Sequence, residues 1–333
     1  MSDLNKILAF NQIMPYLSKA EQNRLADTLG MSIENIETRL KGKNKEDEFI
    51  LILFLMDVCK NISGFDEGVS QLLNTPTSDL IVELKDGKKF LLEIKHTDKT
   101  RYTISSGNLK RRIDYAKELG LELYFAISIK GIWMLFKSDY LTEKCGKIDV
   151  TDLINSQLDD VLKCVSYIFP KGLRIQSIYS KNHKKSTDIQ FEPYGNLISY
   201  TLFLENKKIF RVKGKNSKYT IYSMILEALQ DRLSMDTQTI EQDGEFTIIN
   251  ESFSRDWNMI SEYKFLLSPI EHTVSNGSEK YTAHSYIENA KADADVLKIR
   301  FKKEYVRGAI QFLADNGVDV KYVKNNIVYN VNS

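Results

Sequence analysis

Apolar residues alternate with polar ones in two runs between Thr75 and Thr97, and the alternation predicts a pair of short strands. Leu80, Val82 and Leu84 mark the first strand, Phe90, Leu92 and Ile94 the second, and Asp86-Gly87 between them is a hairpin signal. Elsewhere the period changes. Arg24 to Leu40 has the spacing of a helix-turn-helix with Ser32 as a cap, although Glu34 and Glu37 against Arg39 alone suit phosphates poorly, so a packing helical hairpin is the alternative. Lys45 to Asn61 is acidic in its first turn and then apolar almost all round, as expected of a helix buried against a sheet. After the hairpin, Asn108 to Leu119 reads as a helix stopped by Gly120, followed by strands over Glu122 to Ile129 and Ile132 to Phe136.

Beyond Pro170 the pattern predicts strands over Ile198 to Leu204 and Lys207 to Val212, a helix over Tyr222 to Leu233 and a strand over Phe246 to Ile249. Phe301 to Asn316 reads as a helix ended by Gly317 and followed by a hairpin, Val318 to Val323 and Ile327 to Val331, that turns at Asn325-Asn326. Such a unit fits either a DNA-binding wing or a terminal hairpin that completes a sheet. The expected organisation is a helical segment over 1–43, a mixed-sheet core over 44–169 and a separate α+β domain over 170–333.

The turn of the first hairpin decides which polar residues meet. A two-residue loop would set Leu80 against Glu93 and mix charged with apolar groups on both faces. A loop of Lys85, Asp86 and Gly87 instead sets Leu80 against Leu92, Val82 against Phe90 and Asp79 against Glu93. Glu93 and Lys95 then project from one face, so the apolar register gathers two carboxylates and an amine. Two adjacent carboxylates repel, and removing either would relieve that repulsion unless a cation sits between them. Mg²⁺ is the cation such a pair suits, with Mn²⁺ as its substitute.

Asp79 followed, after a hairpin-length gap, by Glu93-Ile94-Lys95 resembles the signature of the PD-(D/E)XK nuclease superfamily, with Pro76 three residues before the aspartate instead of adjacent to it. The order helix, hairpin, helix, strand from Lys45 to Ser138 resembles the core of those enzymes. The resemblance implies a restriction-endonuclease-like α/β fold, a mixed sheet flanked by helices. It also implies a metal-dependent endonuclease acting on DNA, of restriction or DNA-processing type, with Asp79, Glu93 and Lys95 catalytic and the two carboxylates as metal ligands. A further carboxylate near the start of the preceding helix is implied by the same resemblance, and Glu48 is the position most similar, with Asp66 and Glu67 as the runner-up. A non-catalytic DNA-binding or assembly protein on the same scaffold and a nuclease acting on RNA are the alternatives.

Composition and charge narrow these readings. A chain of 333 residues that is 42% apolar and 27% charged is ordinary for a folded protein. A net charge of +1 means that affinity for nucleic acid must come from patches. One patch lies between Lys85 and Lys117, where ten Lys or Arg face four Asp or Glu, and from it Lys99, Arg101, Lys110 and Arg111 are expected to hold DNA phosphates. A second lies in the C-terminal segment, where Lys302, Lys303 and Arg307 are expected to do the same. Cys59, Cys145 and Cys164 lack metal or redox spacing and cannot all pair, which fits a reducing compartment and a cytoplasmic protein. No signal peptide, no apolar run long enough for a membrane and no phosphate-binding glycine loop is legible, so DNA is the expected partner, with a homodimer or partner subunits compatible.

Overall fold

In the computed structural model the predicted hairpin forms in the three-residue-loop register. Strands β2 (Leu80–Leu84) and β3 (Lys89–Thr97) pair with Leu80 opposite Leu92, Val82 opposite Phe90 and Glu83 opposite Lys89. Gly87 takes the left-handed backbone that this loop needs, at φ 90°. The structure describes residues 17–64, 78–182, 190–191, 193–214, 217–233, 237–256, 258–274, 302–324 and 327–332, together with 10, 13, 283, 286 and 287. Pro76, Asp66, Glu67 and the Asn325-Asn326 turn lie outside the described residues.

The chain divides into two units, Met1–Leu158 with Thr282–Ile287, and Asp159–Tyr281 with Glu288–Ser333. Both are mixed α/β. The division falls earlier than residue 170 because the strand Ser166–Phe169 pairs with strands of the second unit.

In the first unit, α1 (Lys19–Thr28) starts at Ser18, which forms a capping box with Glu21. It packs through Leu25, Ala26 and Leu29 on Ile36 of α2 (Ile33–Met56). The sequence pattern separated a second motif helix from a core helix starting at Lys45; the structure joins them. Gly42 costs a helix only about 1 kcal/mol, and ion pairs from Lys43 to Glu46 and Asp47 brace the junction. The helix ends at Asp57, whose φ of 56° is left-handed, and β1 (Cys59–Gly64) follows where helix was expected to continue to Asn61.

The sheet of this unit runs β1-β2-β3-β5-β6, with β5 (Glu122–Ile129) parallel to β3 and β6 (Ile132–Lys137) antiparallel to β5. Between β3 and β5 the chain forms β4 (Arg101–Thr103) and α3 (Ser106–Glu118), the latter capped by Ser105. Because side chains alternate, β3 sends Leu91, Glu93 and Lys95 to one face and Phe90, Leu92 and Ile94 to the other. The first face carries α3, through a core that includes Leu91, Leu109, Tyr115, Phe125 and Ile127. The small strand β7 (Lys147–Asp149) pairs with β4.

The second unit begins in α5 (Leu158–Leu162), after the short α4 (Ser138–Glu143), and holds two sheets. One is built on β9 (Leu173–Ser180), with β10 (Gln190–Phe191), β11 (Gly195–Leu204) and β12 (Lys207–Lys213) to one side of it and β13 (Thr237–Asp243) and β14 (Phe246–Ser252) to the other. The other runs β15 (Asn258–Ser261), β8 (Ser166–Phe169), β16 (Lys321–Lys324), β17 (Ile327–Asn330). The terminal hairpin therefore completes a sheet. Of its helices, α6 spans Thr220–Leu233 and α7 spans Glu262–Val274. α8 (Lys303–Asp315) buries Val306, Ala309, Ile310 and Leu313, the i, i+3, i+4, i+7 stripe of an amphipathic helix. No helix among the described residues is long and apolar enough to cross a membrane.

Candidate active site

The hairpin register brings Asp79, Glu93 and Lys95 together on the α3 face of the sheet. Lys95 Nζ lies 3.1 Å from Asp79 Oδ2 and 3.0 Å from Glu93 Oε2, so the cation between the two carboxylates is the lysine itself. Asp79 Oδ2 also accepts a hydrogen bond of 2.6 Å from the backbone N–H of Ile94, which fixes the start of β2 to β3 at the end away from the hairpin loop. Glu93 has no exposed surface, and Arg112 of α3 closes on its other oxygen, Oε1. Repulsion between Asp79 and Glu93 is thus answered within the chain by two cations, and removing a carboxylate here would strand charge instead of relieving strain.

Burial holds the Glu93 carboxyl above its ordinary pKa, with Asp79 adding to the rise and Lys95 and Arg112 pulling the other way. For Lys95, burial pulls the ammonium pKa down, but Glu93 and Asp79 outweigh it, and the group stays firmly protonated. Tyr102 of β4 lies within electrostatic reach of all four charged groups, and burial raises its hydroxyl pKa. The sequence does not single out Tyr102, and it offers Arg112 only as one cation of the basic patch, on a phosphate or on a solvated helix face, and not as a partner of Glu93. Arg112 had a signal: it sits on the apolar stripe of α3, three residues after Leu109 and four before Ala116, where a cation needs a buried partner.

Two acids of the helix preceding the hairpin, Glu46 and Glu48, meet different neighbours. Glu48 accepts from Trp133 Nε1 at 2.8 Å and pairs with Lys45. Trp133 alternates with Met134 and Phe136, which belong to the α3 face, so Glu48 engages the opposite face from Glu93 and Lys95. Glu46 is the acid within electrostatic reach of Asp79 and Lys95; burial raises its pKa, and its near partner is Lys43 at 3.2 Å. Among the described residues no three His, Cys, Asp or Glu side chains stand together as a ready metal cage. The donor set still suits a hard divalent cation held by one or two carboxylates and water. Glu93 Oε2 is a buried carboxylate oxygen whose recorded partner is the Lys95 ammonium at 3.0 Å.

Of the expected phosphate contacts, Lys99, Lys110 and Arg111 are exposed, and Arg101 is exposed while lying 3.3 Å from Asp149. In the second unit Lys302 and Arg307 are exposed, and Lys303 Nζ is turned to the carbonyls of Leu162 and Lys163 at the end of α5.

No protein-family model matches the chain. Over 273 residues, 74% of its length, the chain is 26% identical to the CRISPR-associated endoribonuclease Cas13a of Leptotrichia shahii, and it spans 19% of that protein's length. The solved structure of Hjc, a Holliday junction resolvase of Archaeoglobus fulgidus, matches 34% of the chain and 93% of its own at 20% identity, with a TM-score of 0.29. That structural likeness is slight.

Proposed function

We propose that the first unit is a metal-dependent nuclease that hydrolyses phosphodiester bonds of DNA, an endonuclease of restriction or DNA-processing type. The observation that carries this reading is the meeting of Asp79, Glu93 and Lys95 at one point of the sheet, with the Lys95 ammonium within 3.1 Å of both carboxylates. Asp79 and Glu93 would hold Mg²⁺, or Mn²⁺ in its place, with Glu46 nearby in place of Glu48. When bound, the ion would supply Lewis acidity at the phosphate and acidify a water. Lys95 stays protonated and is free to turn its ammonium from the carboxylates to a phosphate oxygen, a charge-assisted contact. Arg112 meanwhile keeps Glu93 in place through Oε1. Lys99, Lys110 and Arg111, with Arg101 once released from Asp149, would hold the backbone on either side. Those contacts read no sequence, so target choice falls to the second unit, with Lys302 and Arg307 as its exposed cations and dimer or partner contacts as a further role.

A nuclease acting on RNA is the second reading, favoured by the likeness to an endoribonuclease. Plasmid, linear and branched DNA and single-stranded RNA, each incubated with and without Mg²⁺ or Mn²⁺, separate the two. The expected outcome is metal-dependent DNA cleavage that falls below detection in Asp79→Asn and Glu93→Gln, with Lys95→Ala still binding Mn²⁺ but turning over poorly. Cleavage of RNA alone selects the second reading. Binding without cleavage under every metal would make the chain a non-catalytic DNA-binding or assembly protein, and undiminished cleavage by both carboxylate variants would overturn the site.

A further inference from the structure

The second unit holds a cleft of about 760 Å³ between α5, α8 and the sheet of β8 and β16. That volume suits a ligand of nucleotide size. On the sheet, Tyr167, Tyr322 and Tyr329 stand directly opposite one another in the adjacent strands β8, β16 and β17. Directly opposed residues share a face, so the three form a row. It runs outward from the core: Tyr167 is buried, with its ring edge-on to Phe265 at 6.1 Å, Tyr322 is half-buried and Tyr329 is exposed.

Core packing accounts for Tyr167. It does not account for Tyr322 and Tyr329, whose rings stack 5.2 Å apart at 19° beside the exposed Ile327 and Val328 of an edge strand. Tyr329 props the ring of Tyr322, and Tyr322 lines the cleft. Lys324 projects from the same face two residues along and lines it too, as does Arg307, whose distance of 3.7 Å from the buried Glu262 is too long for a hydrogen bond. Asp159 and Asp160 add carboxylate acceptors to the same wall. An aromatic face, cations and acceptors in one cleft match a ligand with a flat base, a phosphate and amino groups.

We infer that this cleft binds an unpaired nucleotide of a single-stranded nucleic acid, with its base stacked on Tyr322 and its phosphate held by Lys324 and Arg307. A base inside a duplex has no free face to offer Tyr322, so single strands bind in preference. The inference does not depend on the chemistry of the first unit. It is tested with the full chain in chelator, where nothing is cut, by anisotropy of labelled oligodeoxycytidine, oligocytidine and a duplex. Single strands should bind more tightly than duplex, and the two single strands report whether DNA or RNA is preferred. Tyr322→Phe should keep that affinity, and Tyr322→Ala should lose about 5- to 150-fold, the range of one base stack. Lys324→Glu, at an exposed position that packing does not need, should weaken binding and lower the slope of log affinity against log salt by about one. Preference for duplex, equal affinity of the Phe and Ala variants, or no effect of Lys324→Glu would overturn the inference. So would failure of every oligonucleotide to bind while sedimentation shows β17 pairing two copies of the chain.

Discussion

Glu93 in the first unit and Glu262 in the second both have no exposed surface, yet they are held in opposite ways. Glu93 touches two cations, Lys95 and Arg112, and faces a second carboxylate. Glu262 has no cation within hydrogen-bond distance among the described residues: the nearest recorded one is Arg307 at 3.7 Å, and the backbone of Val165 offers its carboxylate a weak counterweight to burial. Burial pushes the Glu262 carboxyl up to about 7, and Lys303 and Arg307 only temper the rise. A buried acid is therefore not a site by itself. What makes Glu93 a candidate is that it already gathers cations beside a second carboxylate, where a metal ion could take a cation's place, whereas burial only shifts Glu262 towards its neutral form.

The largest effect expected from this difference is on stability. Glu93→Ala leaves Lys95 and Arg112 without their shared carboxylate in a buried setting, and should destabilise the first unit by about 3–5 kcal/mol in urea titrations. Glu93→Gln, which keeps the volume and two polar atoms, should cost less. A Glu93→Ala variant as stable as the native chain would mean that the charge cluster is solvated and that the contrast with Glu262 is illusory.

Glu262 should respond with the opposite sign. Its unfolded value is near 4.5 and its folded value about 7, so the folded state prefers the neutral form. Stability owed to that neutral carboxyl is fully present below about pH 4.5 and is lost as pH rises towards about 7. Linkage over this interval bounds the loss at about 3 kcal/mol. Glu262→Gln should remove this part of the pH dependence and raise the melting temperature at pH 8, with little change at pH 4.5. Identical melting profiles for native and variant chains across this range would show that Glu262 stays solvated in the folded state.

The same contrast shows which features a sequence can carry. The register of Leu80 on Leu92 and Val82 on Phe90 was legible because alternation and a Gly at the αL position leave one loop length that keeps charges off the apolar face. The strand Cys59–Gly64 was not, since its residues are half-buried or exposed without alternation. The continuous α2 was hidden by Gly42 and a charged run that look like a break but pair with one another along the helix. The tyrosine row joins β8 to β16, strands far apart in the chain, and only pairing shows that Tyr167 and Tyr322 meet. Near the candidate site, the choice between Glu46 and Glu48 depended on helix phase. At 100° per residue, positions two apart point about 200° apart, and a run of Lys45, Glu46, Asp47 and Glu48 does not say which one turns towards the hairpin.

That phase gives the finest test. Both positions take the same chemical change, Glu to Gln, and differ only in what they face. Metal binding must displace protons held by raised carboxyls, so Mn²⁺ affinity measured by calorimetry should increase as pH rises and Glu93 and Glu46 ionise. Glu46→Gln removes one of those carboxylates and should lower Mn²⁺ affinity by about tenfold, the scale of a lost supporting contact around a metal. Glu48→Gln should leave Mn²⁺ affinity alone and instead shift tryptophan fluorescence, because its carboxylate holds the Trp133 indole on the other face of the sheet. If Glu48→Gln weakened Mn²⁺ binding and Glu46→Gln did not, the helix would present the carboxylate that the superfamily resemblance favours, and the phase assigned to α2 would be wrong by those two residues.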